Sequence, residues 1–321
     1  MISVCIATYN GEKFIEKQLQ SILDQSKSVD EVIICDDRSS DNTPKIIKSF
    51  IEKNGLKDSW KFSVNEKNIG YCLNFYGAIK KAKGNLIFLC DQDDMWCKDK
   101  VHVMCDYMNK HADTYVLTSR YQLIDKADQT IDNLKIPYYS TLDDSSTEDI
   151  CVDSLIGCSW IRGFSICFRS EIKEYLVPID VKSILAHDWY ICSIGASLGK
   201  ATILNRVLCN YRYHGDNVSL SDMNRKEFLG DRDKRVSGLQ ESIEAHSYIA
   251  TLSKENKKDI QNFISFEKKR LRFLNTKNPF LWLYLALFMN CYKRYYKSIK
   301  GAFRVWLGDF FYGYNINLKK R

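Results

Sequence analysis

Three short apolar runs that stop abruptly at polar tips restrict this chain more than any other feature. Ser3 to Ala7 runs into Thr8-Tyr9-Asn10, Glu31 to Cys35 into Asp36-Asp37, and Leu86 to Cys90 into Asp91-Gln92-Asp93-Asp94. Helical spacing follows the first run, with Phe14, Ile15, Gln18, Leu19 and Ile22 inside a segment from Glu12 to Leu23. A second helix is expected to open at Thr43-Pro44, where proline suits the first turn. A strand over Lys61 to Val64 and a helix from Tyr71 to Lys81, closed by Gly84, precede the third run. Strands alternating with helices are βαβ units, so the pattern predicts an α/β fold on a parallel sheet. In such sheets ligands lie beyond the carboxyl ends of the strands, which makes the three tips one expected site. Residues from Tyr115 to Ile150 give no clear strand pattern, and Asp143 to Asp149 reads as an acidic loop.

Composition narrows the class. With 45% hydrophobic and 27% charged residues and only 15 Gly and 4 Pro, the chain is neither disordered nor fibrous. Its 12 cysteines form no CxxC pairs, and Cys5, Cys35 and Cys90 sit in apolar runs, the pattern of reduced, buried thiols. Met1 leads straight into an apolar strand without a basic leader, so a cytoplasmic location is expected. The net charge of +7 is uneven: residues 221–321 hold 21 Lys and Arg against 10 Asp and Glu. That shift sets the expected boundary, a catalytic domain over 1–220 and a basic, aromatic helical region over 221–321.

Asp91, Asp93 and Asp94 follow a strand that fixes their backbone, and carboxylates converging there repel unless a cation sits between them. Hard oxygen ligands of this kind suit Mg²⁺ or Mn²⁺, though an acidic solvated turn has the same spacing. The runs ISVCIATYNGEKFIEKQLQSIL, EVIICDDRSSDNT and GNLIFLCDQDDMWCKDKV, in this order, resemble the family 2 glycosyltransferases with the GT-A fold. The resemblance spans the first 220 residues and lies nearest bacterial polysaccharide enzymes with a DQDDxW signature, many of them rhamnosyltransferases.

The resemblance implies roles position by position. Ala7, Thr8, Tyr9 and Asn10 match the loop that holds the nucleotide, with Tyr9 over the base. Asp37 matches the carboxylate that receives the base N–H, while Asp36 reads as a structural acceptor of loop N–H groups. Asp91 and Asp93 match the metal-binding DxD pair, Asp93 the more direct ligand, and Gln92 joins Asp91 beside the nucleotide. In Ala186-His187-Asp188-Trp189, Asp188 falls on the catalytic base, although a carboxylate at a helix start is equally a good N-cap. Tyr211-Arg212-Tyr213-His214 resembles the closing YRxH segment, which gives His214 a place at the metal or diphosphate and Arg212 one at phosphate. Trp160, His187 and Trp189 are candidates for acceptor contacts, with core packing the alternative for each tryptophan.

The implied activity is inverting, metal-dependent transfer of a sugar from a nucleoside-diphosphate donor, dTDP-rhamnose or a UDP-sugar, to a glycan or lipid-linked acceptor in surface polysaccharide synthesis. A nucleotidyltransferase would show a glycine-rich loop after the first strand, where TYNGEKF offers only Gly11. A nucleotide- or membrane-binding scaffold without turnover is the alternative outside enzymes. In the tail, Leu285, Met289, Tyr292 and Tyr296 recur at helical spacing beside Lys293, Arg294, Lys297 and Lys300, and Phe303, Trp306 and Phe310 continue an aromatic face. The apolar stretch Phe280 to Met289 is too short to span a bilayer. From Lys268 onward 13 Lys and Arg face the single acid Asp309, which predicts peripheral binding to an anionic inner membrane face rather than to nucleic acid. The alternative is a helical appendage that buries its aromatics against the catalytic domain or another copy in a homo-oligomer.

Overall fold

The computed structural model describes residues 1–132, 142–157, 160–176, 186–214, 232–296 and 298–314. Within them β1 (Ile2–Thr8), β2 (Glu31–Asp36), β3 (Trp60–Val64) and β4 (Leu86–Cys90) alternate with α1 (Ile15–Leu23), α2 (Thr43–Lys53) and α3 (Tyr71–Lys81). These strands pair in parallel in the order β3-β2-β1-β4, with Thr8 opposite Asp36 and Ile6 opposite Cys90. That register brings the three polar tips to one edge. β1, β2 and β4 are apolar and buried nearly throughout because helices cover both faces of a parallel sheet.

The helix expected from Glu12 begins at Ile15; Gly11 to Phe14 form a turn in which Phe14 and Ile15 donate to the Gly11 carbonyl. The segment without a strand signal holds β6 (Thr114–Ile124), and β9 (Lys200–Arg212) pairs with it in parallel. The sheet continues from β4 through β8 (Ile166–Arg169), β6 and β9 to the short β5 (Met95–Trp96), and β7 (Thr147–Asp149) pairs with β9. β8 is antiparallel to both neighbours, so the sheet is mixed. α4 (Lys100–Lys110), α5 (Val152–Leu155), α6 (Ile172–Leu176) and α7 (His187–Leu198) complete this stretch.

Contacts divide the chain into two compact units, one from Met1–Ile150, Trp160–Val181 and His187–His214, the other from Cys151–Ser159, Lys182–Ala186 and Gly215–Arg321. The boundary expected at 220/221 lies outside the described residues. The second unit contains α8 (Arg232–Leu252), α9 (Lys257–Thr276), α10 (Pro279–Leu285), α11 (Met289–Tyr296) and α12 (Ile299–Gly313). Its centre is ionic. Asp309 accepts from Arg270 Nε and Nη2 at 2.7 Å each, from Arg235 Nη2 at 2.7 Å and from the Tyr292 hydroxyl at 2.7 Å. Glu267 accepts from Ser242 at 2.6 Å and Tyr295 at 2.9 Å and lies 3.0 Å from His246 Nδ1. Leu285, Tyr292 and Trp306, expected on an outward stripe, are instead buried in this unit, and the Tyr296 side chain lies outside the described set. Helical spacing marks one face but does not say which way it points. No described helix is long and apolar enough to cross a membrane.

Burial alone would raise the Asp309 carboxyl, but Arg270 and Arg235 outweigh it and hold it at about 2. A folded value below the unfolded one gives stability that is complete at neutral pH and is lost as pH falls from about 4 towards 2. Asp309→Asn should therefore destabilise the protein by about 3–5 kcal/mol at pH 7 by leaving two buried guanidinium groups uncompensated, and much less near pH 2. Urea denaturation at the two pH values measures this; equal losses at both would show that packing, not charge, is what the substitution removed.

Candidate active site

The β1 tip is clamped from the side. Gln92 accepts from the Tyr9 N–H at 2.8 Å and donates to the Tyr9 carbonyl at 3.0 Å, tying the end of β4 to the end of β1. A Cβ at Gly11 would fall 2.3 Å from Gln92 Oε1, so a side chain there would displace Gln92 from this clamp. The Asn10 backbone is left-handed, its N–H donates to Ser39 and its side-chain oxygen accepts from the Ser40 N–H. Tyr9 is exposed over this loop, where a nucleobase would stack. Ala7 and Thr8 sit on β1 itself, and the Thr8 hydroxyl donates to Asp36 at 2.8 Å. Asp36 also accepts from the Ser39 N–H and hydroxyl, the structural part expected of it.

Asp37 already holds the loop before α3: it accepts from Asn65 Nδ2 at 3.0 Å, Ile69 N–H at 2.8 Å and Gly70 N–H at 2.7 Å. A carboxylate has roughly four acceptor sites, so a base N–H would take the remaining one.

The acidic turn is locked from β9. Arg212 donates its backbone N–H to Asp94 Oδ1 at 2.9 Å and its Nε to the Asp93 carbonyl at 2.8 Å. Its Nη1 donates to the Asp125 carbonyl and to Asp128, and the guanidinium lies 4.8 Å from the Phe14 ring. The side chain is fully buried, so the phosphate contact expected of Arg212 gives way to a bracing role. Two residues on, His214 Nε2 lies 2.8 Å from Asp93 Oδ2, which brings together two expected metal ligands.

Asp91 is pushed up to about 7, first by burial and then by the carboxylates of Asp93 and Asp188, with Arg162 opposing. Asp94 is raised well above the carboxylate range by burial and by Asp93 and Asp91, and its buried Oδ2 has no partner. This surplus of negative charge fits a hard divalent cation. Among the described residues no three His, Cys, Asp or Glu side chains enclose a metal point. A site of this kind supplies one or two carboxylates and leaves the other positions to water and substrate phosphate, as Mg²⁺ and Mn²⁺ prefer.

Asp188 lies in the first turn of α7, with 9% of its surface exposed, and its Oδ1 accepts from the Trp189 N–H at 2.7 Å. Its influence on Asp91 places it beside the acidic turn. Trp189 is buried and packs edge-on against Tyr190, a core residue rather than an acceptor platform. Trp160 is half-buried. His187 is buried and stacked on Phe75 at 4.1 Å, and burial lowers its pKa, so it is a neutral imidazole. Sequence reasoning missed Arg162. Just before the turn Gly163–Ser165, it hydrogen-bonds Tyr121 and lies within the electrostatic reach of Asp188, Asp91 and Tyr211. Its only sequence signal is one Arg before a Gly, too common to single out.

A sequence model of glycosyl transferase family 2 matches residues 3–166. The chain is 30% identical to an uncharacterized glycosyltransferase of Nostoc sp. over 68% of its own length and 67% of the relative's. It is 30% identical to the dTDP-rhamnosyl transferase RfbG of Shigella flexneri, over 66% and 72% of the two chains. Among solved structures, S. aureus TarS 1-349 in complex with UDP-GlcNAc superposes with a TM-score of 0.60 at 16% identity, over 98% of this chain and 89% of that one, a likeness of fold with a GT-A enzyme.

An acid raised in the folded state stabilises it at low pH and loses that contribution as pH climbs from about 4 through 7. Without added cations, the melting temperature should fall over this range more in the wild type than in Asp91→Asn, and the variant should melt a few degrees higher at neutral pH. Parallel pH profiles for the two proteins would refute the crowded-carboxylate description.

Proposed function

For a chain that belongs to glycosyl transferase family 2, and so is a glycosyltransferase, we propose inverting transfer from a nucleoside-diphosphate sugar to a glycan or lipid-linked acceptor in surface polysaccharide assembly. The observation that carries this reading is the acidic turn of Asp91 and Asp93 at the carboxyl edge of the parallel strands, with Asp188 in the first turn of α7 within electrostatic reach of Asp91. A base must face the anomeric carbon on the side away from the diphosphate, and the acidic turn marks the diphosphate side.

The β1 loop around Tyr9 and the Asp37 carboxylate hold the nucleoside. Asp188 takes the acceptor hydroxyl proton as its oxygen attacks the anomeric carbon and the diphosphate departs. Arg162, within electrostatic reach of Asp188 and Asp91, opposes the rise that burial and the neighbouring carboxylates impose on Asp91. Asp93 and Asp91, with His214 beside Asp93, would hold Mg²⁺ or Mn²⁺, which would supply positive charge to the leaving diphosphate. A dTDP-rhamnose or UDP-sugar donor is supported by the named substrates of RfbG and of the TarS complex. A lipid-linked acceptor places the enzyme at the inner membrane face.

A screen of nucleotide sugars for cation-dependent thermal stabilisation identifies the donor, because a ligand that binds only the native state raises its stability. With that donor, Asp188→Asn should lower transfer by about 100-fold or more while binding is nearly unchanged. Asp93→Asn should instead abolish most cation-dependent donor binding by calorimetry without unfolding the domain. Retained stereochemistry at the anomeric carbon, or wild-type turnover in Asp188→Asn, would overturn the mechanism.

A further inference from the structure

The second unit leaves six large apolar side chains uncovered among its described residues. Phe280 is 79% exposed, Leu287 78% and Ile299 75%, and Leu283, Tyr284 and Phe303 are exposed with them. Phe280, Leu283, Tyr284 and Leu287 are spaced three and four apart along α10 and the turn Ala286–Phe288 after it, and so lie on one side. Ile299 and Phe303 are one turn apart on α12. The two elements are fixed side by side by Trp282 and Trp306, whose rings stack at 4.1 Å while each indole N–H donates to the other residue's carbonyl at 3.1 Å. The exposed residues therefore belong to a rigid surface rather than to a loose end.

Its charge has one sign. Lys277 before α10 and Lys300 and Arg304 on α12 are exposed among these residues, and Lys269 lies 5.3 Å from the Phe288 ring. From Lys268 onward the only acid is Asp309, and that carboxylate is buried between Arg270 and Arg235. No exposed carboxylate interrupts the face within α10 to α12.

We propose that Phe280, Leu283, Leu287, Ile299 and Phe303, ringed by Lys277, Lys300 and Arg304, form a docking surface for an anionic lipid bilayer, entered to the depth of the headgroups. The apolar side chains match the acyl boundary and the cations match lipid phosphates, the combination that holds a protein on a membrane without spanning it. A second copy of this chain fits less well, because a two-fold contact would set the same cations against each other with no acid to compensate. The proposal rests on the membrane location given above and names the residues that produce it.

The test is cosedimentation of the full-length protein with vesicles of phosphatidylcholine alone and of phosphatidylcholine mixed equally with phosphatidylglycerol. The wild type should bind the mixed vesicles and release them as salt is raised. The triple variant Phe280→Ser, Leu287→Ser and Phe303→Ser should lower binding by about tenfold or more, since each side chain loses apolar burial. Lys300→Gln with Arg304→Gln should lower it by about fivefold per charge, on the mixed vesicles only. These side chains are exposed, so donor turnover and melting temperature should stay at wild-type levels and report intact folding. Wild-type binding by the triple variant would overturn this surface while leaving the membrane location standing. Failure of the wild type to bind the mixed vesicles would overturn both. A fall in light-scattering mass caused by the triple variant, with vesicle binding unchanged, would assign the face to a second copy.

Discussion

Everything at the site depends on how one buried guanidinium joins the last strand to the acidic turn. Arg212 reaches the Asp93 carbonyl with its side chain and Asp94 with its own N–H, so the turn after β4 cannot move without β9. The same strand carries His214 to Asp93. A buried Arg left unpaired would be costly, and here Nε and Nη1 donate to two carbonyls and the Asp128 carboxylate. The positive charge that sequence reasoning gave to phosphate is thus used inside the protein. It pre-orders the carboxylates of the acidic turn, and a brace of this kind removes the cost of reorganising them.

The order so imposed has a consequence for stability. Burial and the neighbouring carboxylates raise the pKa values of Asp91 and Asp94, and Asp94 Oδ2 has no hydrogen-bond partner among the described residues. A fold optimised for stability alone would separate them or insert a base between them. Strain of this sort concentrates where function requires it. The left-handed backbones of Asn10 and Arg38, at the tips of β1 and β2, lie on the same edge.

What the sequence revealed follows from how local each signal is. The apolar runs at β1, β2 and β4 state their own strand character, and Thr43-Pro44 and Tyr71 open helices at the expected residues. β6 was not legible because its partners β8 and β9 are distant in sequence, and its burial pattern follows from that pairing rather than from alternation of its own. Within the site, Asp36 and the pairing of Asp93 with His214 were readable from the motif. The fates of Arg212 and Trp189 were not, since the residue type does not record whether a side chain points to solvent or to core. Arg162 was invisible for a related reason: its significance is entirely the company it keeps in space.

The second unit shows the same ambiguity on a larger scale. Its sequence interleaves cations and aromatics, and both membrane binding and packing predict that interleaving. Burial separates them. Arg270 and Arg235 enclose Asp309 and Tyr292, and Arg294 pairs with Asp153, so these cations are consumed by the fold. Exposed residues such as Lys277, Lys300 and Arg304 carry positive charge that no exposed acid from Lys268 onward offsets. A single buried acid therefore performs two tasks: it holds the helices together, and its burial leaves α10 to α12 without an exposed carboxylate. Of the stripe expected at helical spacing, Leu285, Tyr292 and Trp306 are buried within the unit while Phe303 stays exposed, and the other exposed apolar residues, Phe280, Leu287 and Ile299, lie off that stripe.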